Sequence, residues 1–241
     1  MPGSQYIALS GLRAQTDALD RLAADIANIG TAGYKGQREA RRAVERDAFD
    51  ASLQTAIDTA QGGLTLDTSP GTLLPTGRSL DAAIDGQGFF VVQTAAGVRY
   101  TRNGHFGRAA DGTLTTSDGA TVLGADGPIQ LGTGETRFDA DGSVWSGGAQ
   151  AGRLSIVNFT DSRQLAREGN SLLRADGLTA APVAAPAVRA GMLEESNVSV
   201  AERLAELTSV ARGFEALQKS ISVMMNDVDG RAIDQLGRRS A

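Results

Sequence analysis

Glycine and proline are unevenly spread along this chain, and their distribution constrains its architecture more than any other feature. Of its 30 glycines, 22 lie between Gly62 and Gly191, while Gly3 to Ser69 and Ala187 to Ala241 contain no proline. Proline inside a helix removes a hydrogen bond and clashes with the preceding turn; glycine there costs about 1 kcal/mol relative to alanine. The pattern predicts helix, then a turn-rich middle, then helix. A length of 241 residues is enough for one large domain or two small ones.

The ends carry helical periodicity. Leu12, Leu19 and Ile26 repeat every seven residues, with Leu22 and Ile29 repeating three places on. This a/d pattern predicts a helix from Tyr6 to Asn28 that packs on another helix and stops at Gly30 and Gly33. Val44, Phe49, Leu53 and Ile57 give a weaker period from Arg38 to Ala60. At the other end Leu207, Phe214, Ile221 and Val228 recur every seven residues. They are flanked by rows of Leu204, Ala211 and Met225 and of Val210, Leu217 and Met224. Asn197 or Ser199 suits the N-cap, with Glu202 in the first turn.

The middle reads as β. Six Asp-Gly pairs, at Asp85, Asp111, Asp118, Asp126, Asp141 and Asp176, suit tight turns that need positive φ. Between them, Phe89 to Gln93, Arg99 to Thr101, Leu114 to Thr116, Arg153 to Asn158 and Val188 to Leu193 read as strands. No helix-period segment separates these strands, so the β domain is expected to be antiparallel. The expected fold class is α+β. Its N- and C-terminal helices pair as a coiled-coil-like hairpin, with an antiparallel β-rich domain inserted between them. Residues 1–36 and 192–241 would form the terminal helical domain, 37–61 a helical connector and 62–191 the β domain. A second arrangement, with both helices docked on the β domain, stays open.

Chemistry is sparsely provided. The net charge of −5 disfavours a phosphate backbone as partner, and no apolar run is long enough for a membrane helix. Met1 to Arg13 lacks the basic and apolar regions of a cleaved secretory signal. Without cysteine, disulfides and thiolate metal sites are excluded. The one histidine, His105, follows an Asn-Gly pair and reads as a surface or strand-edge residue with no nucleophile partner. Asp139 to Gly142 resembles part of a calcium loop, but the twelfth position is Gln150 where glutamate is needed. Gly86-Gln87-Gly88 leads into a strand, not the helix of a nucleotide-binding turn. Arg38, Arg41, Arg42 and Arg46 fall at helical spacing and read as a solvated face with Glu39 and Glu45. No catalytic, cofactor or metal residues emerge, so an enzyme is the least favoured class.

Four segments together resemble the family of flagellar rod and hook axial proteins. The first is Asp25 to Lys35, with Asn28, Thr31, Gly33, Tyr34 and Lys35 at the motif positions. The second is Leu80 to Phe90 and the third Tyr100 to Phe106. The fourth is Gly191 to Val198, with Glu194, Ser196 and Asn197, followed by Arg212, Phe214 and Glu215. Their order and spacing span nearly the whole chain. Its length fits the mid-sized rod members, among which the resemblance favours the proximal over the distal kind; the start Ala8-Leu9-Ser10-Gly11-Leu12 does not by itself settle that choice. The tail from Arg231 to Ala241 runs past the usual end of the family helix.

The resemblance implies a structural subunit of the bacterial basal-body rod, without enzymatic activity. Its terminal helices would polymerise as an inner tube around the export channel, with the β domain outside. The partners implied are copies of itself, other rod proteins and the flagellar type III export apparatus. No cofactor, nucleic acid or small-molecule substrate is implied, and the subunit would not be embedded in the membrane. It would lie in the periplasmic space, exported without a cleaved signal. The polymerisation seam would comprise Leu12, Leu19, Leu22, Ile26, Ile29, Leu204, Leu207, Ala211, Phe214, Leu217, Ile221, Met224 and Val228. Gly30 to Gly36 would be the joint between tube and shell. A distal rod or hook-type member is the alternative within the family; a secreted β-domain binding module is the alternative outside it.

Overall fold

The computed structural model describes residues 2–39, 64–169 and 171–237. The chain divides into two units. One carries α1 (Pro2–Ala27) as far as Ile26 and α2 (Val200–Gly237); the other comprises Ala27–Arg38 and Leu64–Val198.

The second unit is a set of antiparallel sheets. Its largest, of ten strands, runs Ala166–Glu168, Leu172–Arg174, Gly97–Thr101, Phe89–Thr94, Thr121–Gly124, Leu114–Thr116, Phe106–Arg108. Ile156–Phe159 joins it beside Phe89–Thr94. Thr136–Phe138, Ser143–Ser146 and Ala149–Arg153 form a three-stranded meander. Two ribbons pair Ala82–Ile84 with Val188–Ala190, and Leu73–Pro75 with Met192–Glu194.

The central strand explains the core. Successive side chains of a strand point to opposite faces. Phe90 and Val92 enter a cluster with Phe106, Leu114, Val122 and Val144, while Phe89 and Val91 enter a second with Val157, Phe159 and Leu173. All four residues from Phe89 to Val92 are buried, which is why this strand is uninterrupted hydrophobic sequence. Phe90 meets Phe106 edge-on at 5.1 Å, and Tyr100 meets Phe159 at 4.8 Å. Such pairs add about 0.5–1.5 kcal/mol to area burial.

The turn chemistry is as the Asp-Gly pairs require: Gly86, Gly112, Gly119, Gly127, Gly142 and Gly177 all have positive φ. Asp111 and Asp141 fold their carboxylates back onto the amides of Thr113 and Ser143, each at 3.0 Å. Those amide bonds hold both carboxyls below their ordinary value. Two expected strands each divide in two. Arg153 to Asn158 breaks at Leu154, where the chain leaves the meander for the large sheet. Val188 to Leu193 breaks at Gly191, whose amide bonds Asp81 while the chain changes partner strand.

The expected fold class is corrected. Most described elements are strands, only two long helices are present among the described residues, and no coiled-coil-like hairpin of terminal helices is found. The side chains show why. From Ser10 onward, the buried positions of α1 are Ala18, Arg21, Leu22 and Asp25, only one of them a large apolar residue. The row of Leu12, Leu19 and Ile26 is only partly covered. Among the described side chains of α2, Arg203 is buried, while Leu204 is 49% exposed. Asp25 Oδ2 meets Arg203 Nε at 3.2 Å, and Arg21 reaches Glu206 at 3.8 Å. Ionic groups therefore stand where a seam of interlocking apolar side chains needs leucine or isoleucine.

Smaller differences concern the connector and the caps. Gln37–Glu39 is a strand paired with Leu64–Leu66, so Arg38 is not helical. The remaining connector residues, with Arg41, Arg42 and Arg46, lie outside the described residues. Ser199 takes the N-cap of α2: its carbonyl accepts from the Arg203 amide (3.0 Å) and its hydroxyl from the Glu202 amide (3.5 Å). Asn197 is engaged elsewhere.

Candidate functional site

Three of the four recognised segments converge on one buried carboxylate in the β unit. Glu194 ends the strand Met192–Glu194, and its side chain has no solvent exposure. Its Oε1 accepts from Lys35 Nζ at 2.5 Å and from the Gly71 amide at 2.9 Å. Its Oε2 accepts from Arg102 Nη1 at 3.1 Å. Lys35 also donates to the Ser69 carbonyl (2.7 Å), and Arg102 to those of Ile84 (3.3 Å) and Gly86 (2.6 Å). The Arg102 guanidinium lies 5.3 Å from the centre of the Phe89 ring.

The electrostatics follow from burial. Loss of water pushes the Lys35 ammonium below its ordinary value, and Glu194 opposes that. Burial likewise lowers Arg102, again opposed by Glu194. Two cations and one anion share a dry site, and the carbonyls of Ser69, Ile84 and Gly86 accept further N–H groups of the two cations, while the Arg102 Nε is buried with no hydrogen-bond partner. Such a group costs several kcal/mol per ion to bury and holds only when each member is partnered.

The backbone is fitted as closely as the charges. Gly33 has φ +68°, and its amide donates to the Glu194 carbonyl at 2.7 Å. A Cβ at Gly33 would collide with the backbone at Arg102 and Asn103. Tyr34 is buried under the Arg167 guanidinium, 4.7 Å from its ring centre. Asn197 clasps the same region: its Oδ1 accepts from the Gly36 amide (2.9 Å) and its Nδ2 donates to the Asp67 carbonyl (2.8 Å). Thr31 bonds the Asn28 side chain at 3.1 Å, and Ser196 accepts from the Val198 amide at 3.2 Å. Asn28, Thr31, Gly33, Tyr34, Lys35, Glu194, Ser196 and Asn197 thus lie around one junction.

The helical unit holds the other named residues. Leu22 is fully buried, whereas Leu12, Leu19, Ile26, Leu207, Ala211, Phe214, Leu217 and Ile221 are partly covered. Ile29 lies beyond α1, in the β unit, and is partly covered. Arg212 and Glu215 are exposed on α2. The side chains of Met224 and Val228 lie outside the described residues. Val200 and Val223 are also exposed, at 47% and 59%.

Arg102, Gly71, Ser69, Asp25 and Arg203 were not singled out by sequence reasoning. Arg102 lies inside the recognised segment Tyr100 to Phe106, and its place in that segment is the signal that could have found it. Nothing in the local sequence marks Gly71 or Ser69. The site has no nucleophile paired with a base, and no group of metal-ligating side chains is found among the described residues.

Comparison with known proteins gives this arrangement a context. Residues 83–146 match the model of the flagellar hook protein FlgE/F/G D1 domain, and residues 189–233 that of the flagellar basal body rod FlgEFG protein C-terminal region. A flagellar basal-body rod protein FlgF of Caulobacter vibrioides is 32% identical over 99% of both chains. The FlgF of Salmonella typhimurium is 34% identical over 87% of this chain and 88% of its own. A FlgG of Bacillus subtilis is 30% identical, covering 91% and 94%. Identity of this order along almost the full length places the chain: it belongs to the flagellar basal-body rod protein family, most like FlgF, and is a structural protein, not an enzyme.

Proposed function

We propose that this chain is the proximal kind of rod subunit and assembles with copies of itself and with other rod proteins through its terminal helices. The β unit would form an outer layer, its entering and leaving chains held together by the Lys35–Glu194–Arg102 junction. The observation that carries this reading is the surface of α2. Val200, Leu204 and Val223 leave apolar area in solvent, and the motif residues Arg212 and Glu215 stand exposed on the same helix. Apolar side chains along an exposed helix face fit a protein partner. The partly covered residues Leu12, Leu19, Ile26, Leu207, Phe214, Leu217 and Ile221 would complete their burial against neighbouring subunits, with Met224 and Val228 continuing the row. Unlike surfaces then meet head to tail, which gives an open helical polymer. Transit through the type III export apparatus, and a position in the periplasmic part of the basal body, belong to the same reading.

The test replaces Leu207 and Phe214 together by Asp in the full chain. Incorporation into rods in cells is measured alongside the folding of the β unit in the purified protein. Lost incorporation with an intact β unit supports assembly through α2. Normal incorporation overturns it.

A further inference from the structure

The β unit builds one hairpin twice. Phe106–Arg108 pairs with Leu114–Thr116, setting Phe106 opposite Thr116, Gly107 opposite Thr115 and Arg108 opposite Leu114. Thr136–Phe138 pairs with Ser143–Ser146 in the matching register, Thr136 opposite Ser146, Arg137 opposite Trp145 and Phe138 opposite Val144. The turns match bond for bond. The amides of Ala109 and Asp139 donate to the carbonyls of Thr113 and Ser143, each at 2.9 Å, and those of Gly112 and Gly142 to the carbonyls of Ala109 and Asp139, each at 3.0 Å. The carbonyls of Gly112 and Gly142 accept from Leu131 and Leu154, each at 2.8 Å. Leu114 and Val144 are fully buried in the same cluster.

One cross-strand pair breaks the correspondence. Where the first hairpin has Gly107 and Thr115, the second has Arg137 and Trp145. These two lie on the face opposite Phe138 and Val144, which enter the core. The first hairpin forms with glycine and threonine, so the shared fold does not require arginine and tryptophan. The tryptophan even works against it: Trp145 Nε1 is out of solvent with no hydrogen-bond partner among the described residues, and a buried, unmet donor destabilises. With that nitrogen turned in, what the half-buried ring shows to solvent is carbon.

We propose that Arg137 and Trp145 are the platform by which the β unit of one copy meets a second copy of this chain. The Arg137 guanidinium lies 5.5 Å from the centre of the indole, and its side chain is 66% exposed. Its carboxylate neighbour, Asp139, is 3.7 Å away and 42% exposed; a surface pairing of that kind holds weakly. The N–H fork of Arg137 is therefore open to a carboxylate from a partner, beside an apolar ring surface. A second copy supplies such groups. The chain carries a net charge of −5, and Asp126, Glu135 and Glu195 stand exposed on the β unit with no cation bonded to them among the described residues. Tryptophan and arginine are also the residues that most often anchor protein interfaces. Platform and carboxylate are unlike patches, as a head-to-tail polymer requires. The inference rests on the reading that copies assemble, and adds a contact between β units to that of the helices.

The experiment uses the emission of Trp145, the one tryptophan of the chain. Its quenching by acrylamide is measured in the purified full chain across a concentration series, with sedimentation of the same samples recording association. The platform predicts a quenchable Trp145 in the dilute protein, loss of that quenching as copies associate, and association weakened at least ~10-fold in Arg137→Glu, the scale of losing an interface anchor. Association with Trp145 still quenched, or Arg137→Glu associating like the parent, overturns the platform and leaves assembly through the helices standing. Protection that appears only when a different rod subunit is added overturns the second copy as its occupant. The double variant Arg137→Gly with Trp145→Thr, which carries the residues of the first hairpin, guards against misfolding. It should keep the circular dichroism and cooperative melting of the parent and lose the same association. A double variant that unfolds shows that the pair serves the fold, and one that associates normally shows that it serves nothing at the surface; either result overturns the proposal.

Discussion

Lys35 and Glu194 stand 159 residues apart in sequence, and their side chains meet at 2.5 Å in the interior of the β unit. Arg102 reaches the other oxygen of the same carboxylate. The chain entering the β unit, its interior hairpin and the chain leaving it are therefore joined at one anion. Neutralising that anion strands two buried cations. Glu194→Gln is expected to cost about 3–5 kcal/mol, the range for removing one member of a buried ion group. Urea unfolding of the full chain measures it. The exposed neighbour provides the control, with Glu195→Gln expected within about 0.5 kcal/mol of the parent.

Backbone fit at the junction gives a separate prediction. Gly33 combines φ +68° with backbone of Arg102 and Asn103 where a side chain would be. Gly33→Val meets both obstacles and should prevent the junction from closing, seen as loss of the cooperative unfolding transition and of assembly. Gly104 has an ordinary φ, yet a Cβ there would collide with the Ala82 carbonyl. Gly104→Ala should therefore destabilise through contact alone, whereas Gly119→Ala, which meets no neighbour, should be limited to its backbone strain. Equal stability of the Gly104→Ala and Gly119→Ala proteins would contradict this account.

Acid sensitivity should come in part from Asp67. Burial pushes its carboxyl up, but hydrogen bonds from the Ser69 hydroxyl and amide, with Arg38 and Lys35 nearby, outweigh that and hold it below its ordinary value. The fold thus favours the charged form. The stability it contributes is complete above the ordinary carboxylate range and is lost as pH falls through the lowered value. Asp67→Asn should be less stable than the parent at neutral pH, and the gap should narrow in acid. A gap independent of pH would remove Asp67 from the account.

The β unit was largely legible because its signals are local. Asp-Gly pairs fixed the turns at Asp111 and Asp141, and the run Phe89 to Val92 fixed the central strand. The strand breaks at Leu154 and Gly191 were not legible, because each arises where the chain exchanges one partner strand for another. The helices were placed, but their relation was misread. A seven-residue recurrence of leucine and isoleucine reports periodicity, not which face is covered, and the covered face of α1 holds Arg21 and Asp25 instead. At the junction, Lys35 and Glu194 were quoted from separate segments. Their meeting depends on long-range folding that neither segment encodes alone.

The central claim is that the helical unit completes its packing only in the assembled rod. Limited proteolysis, read by mass spectrometry on the dilute full chain and on assembled rods, tests it most directly. The account predicts cleavage within α1 and α2 in the dilute protein, a surviving β unit, and protected helices after assembly. Helices equally resistant in both states would show that their partners already lie within the single chain, and would contradict the claim.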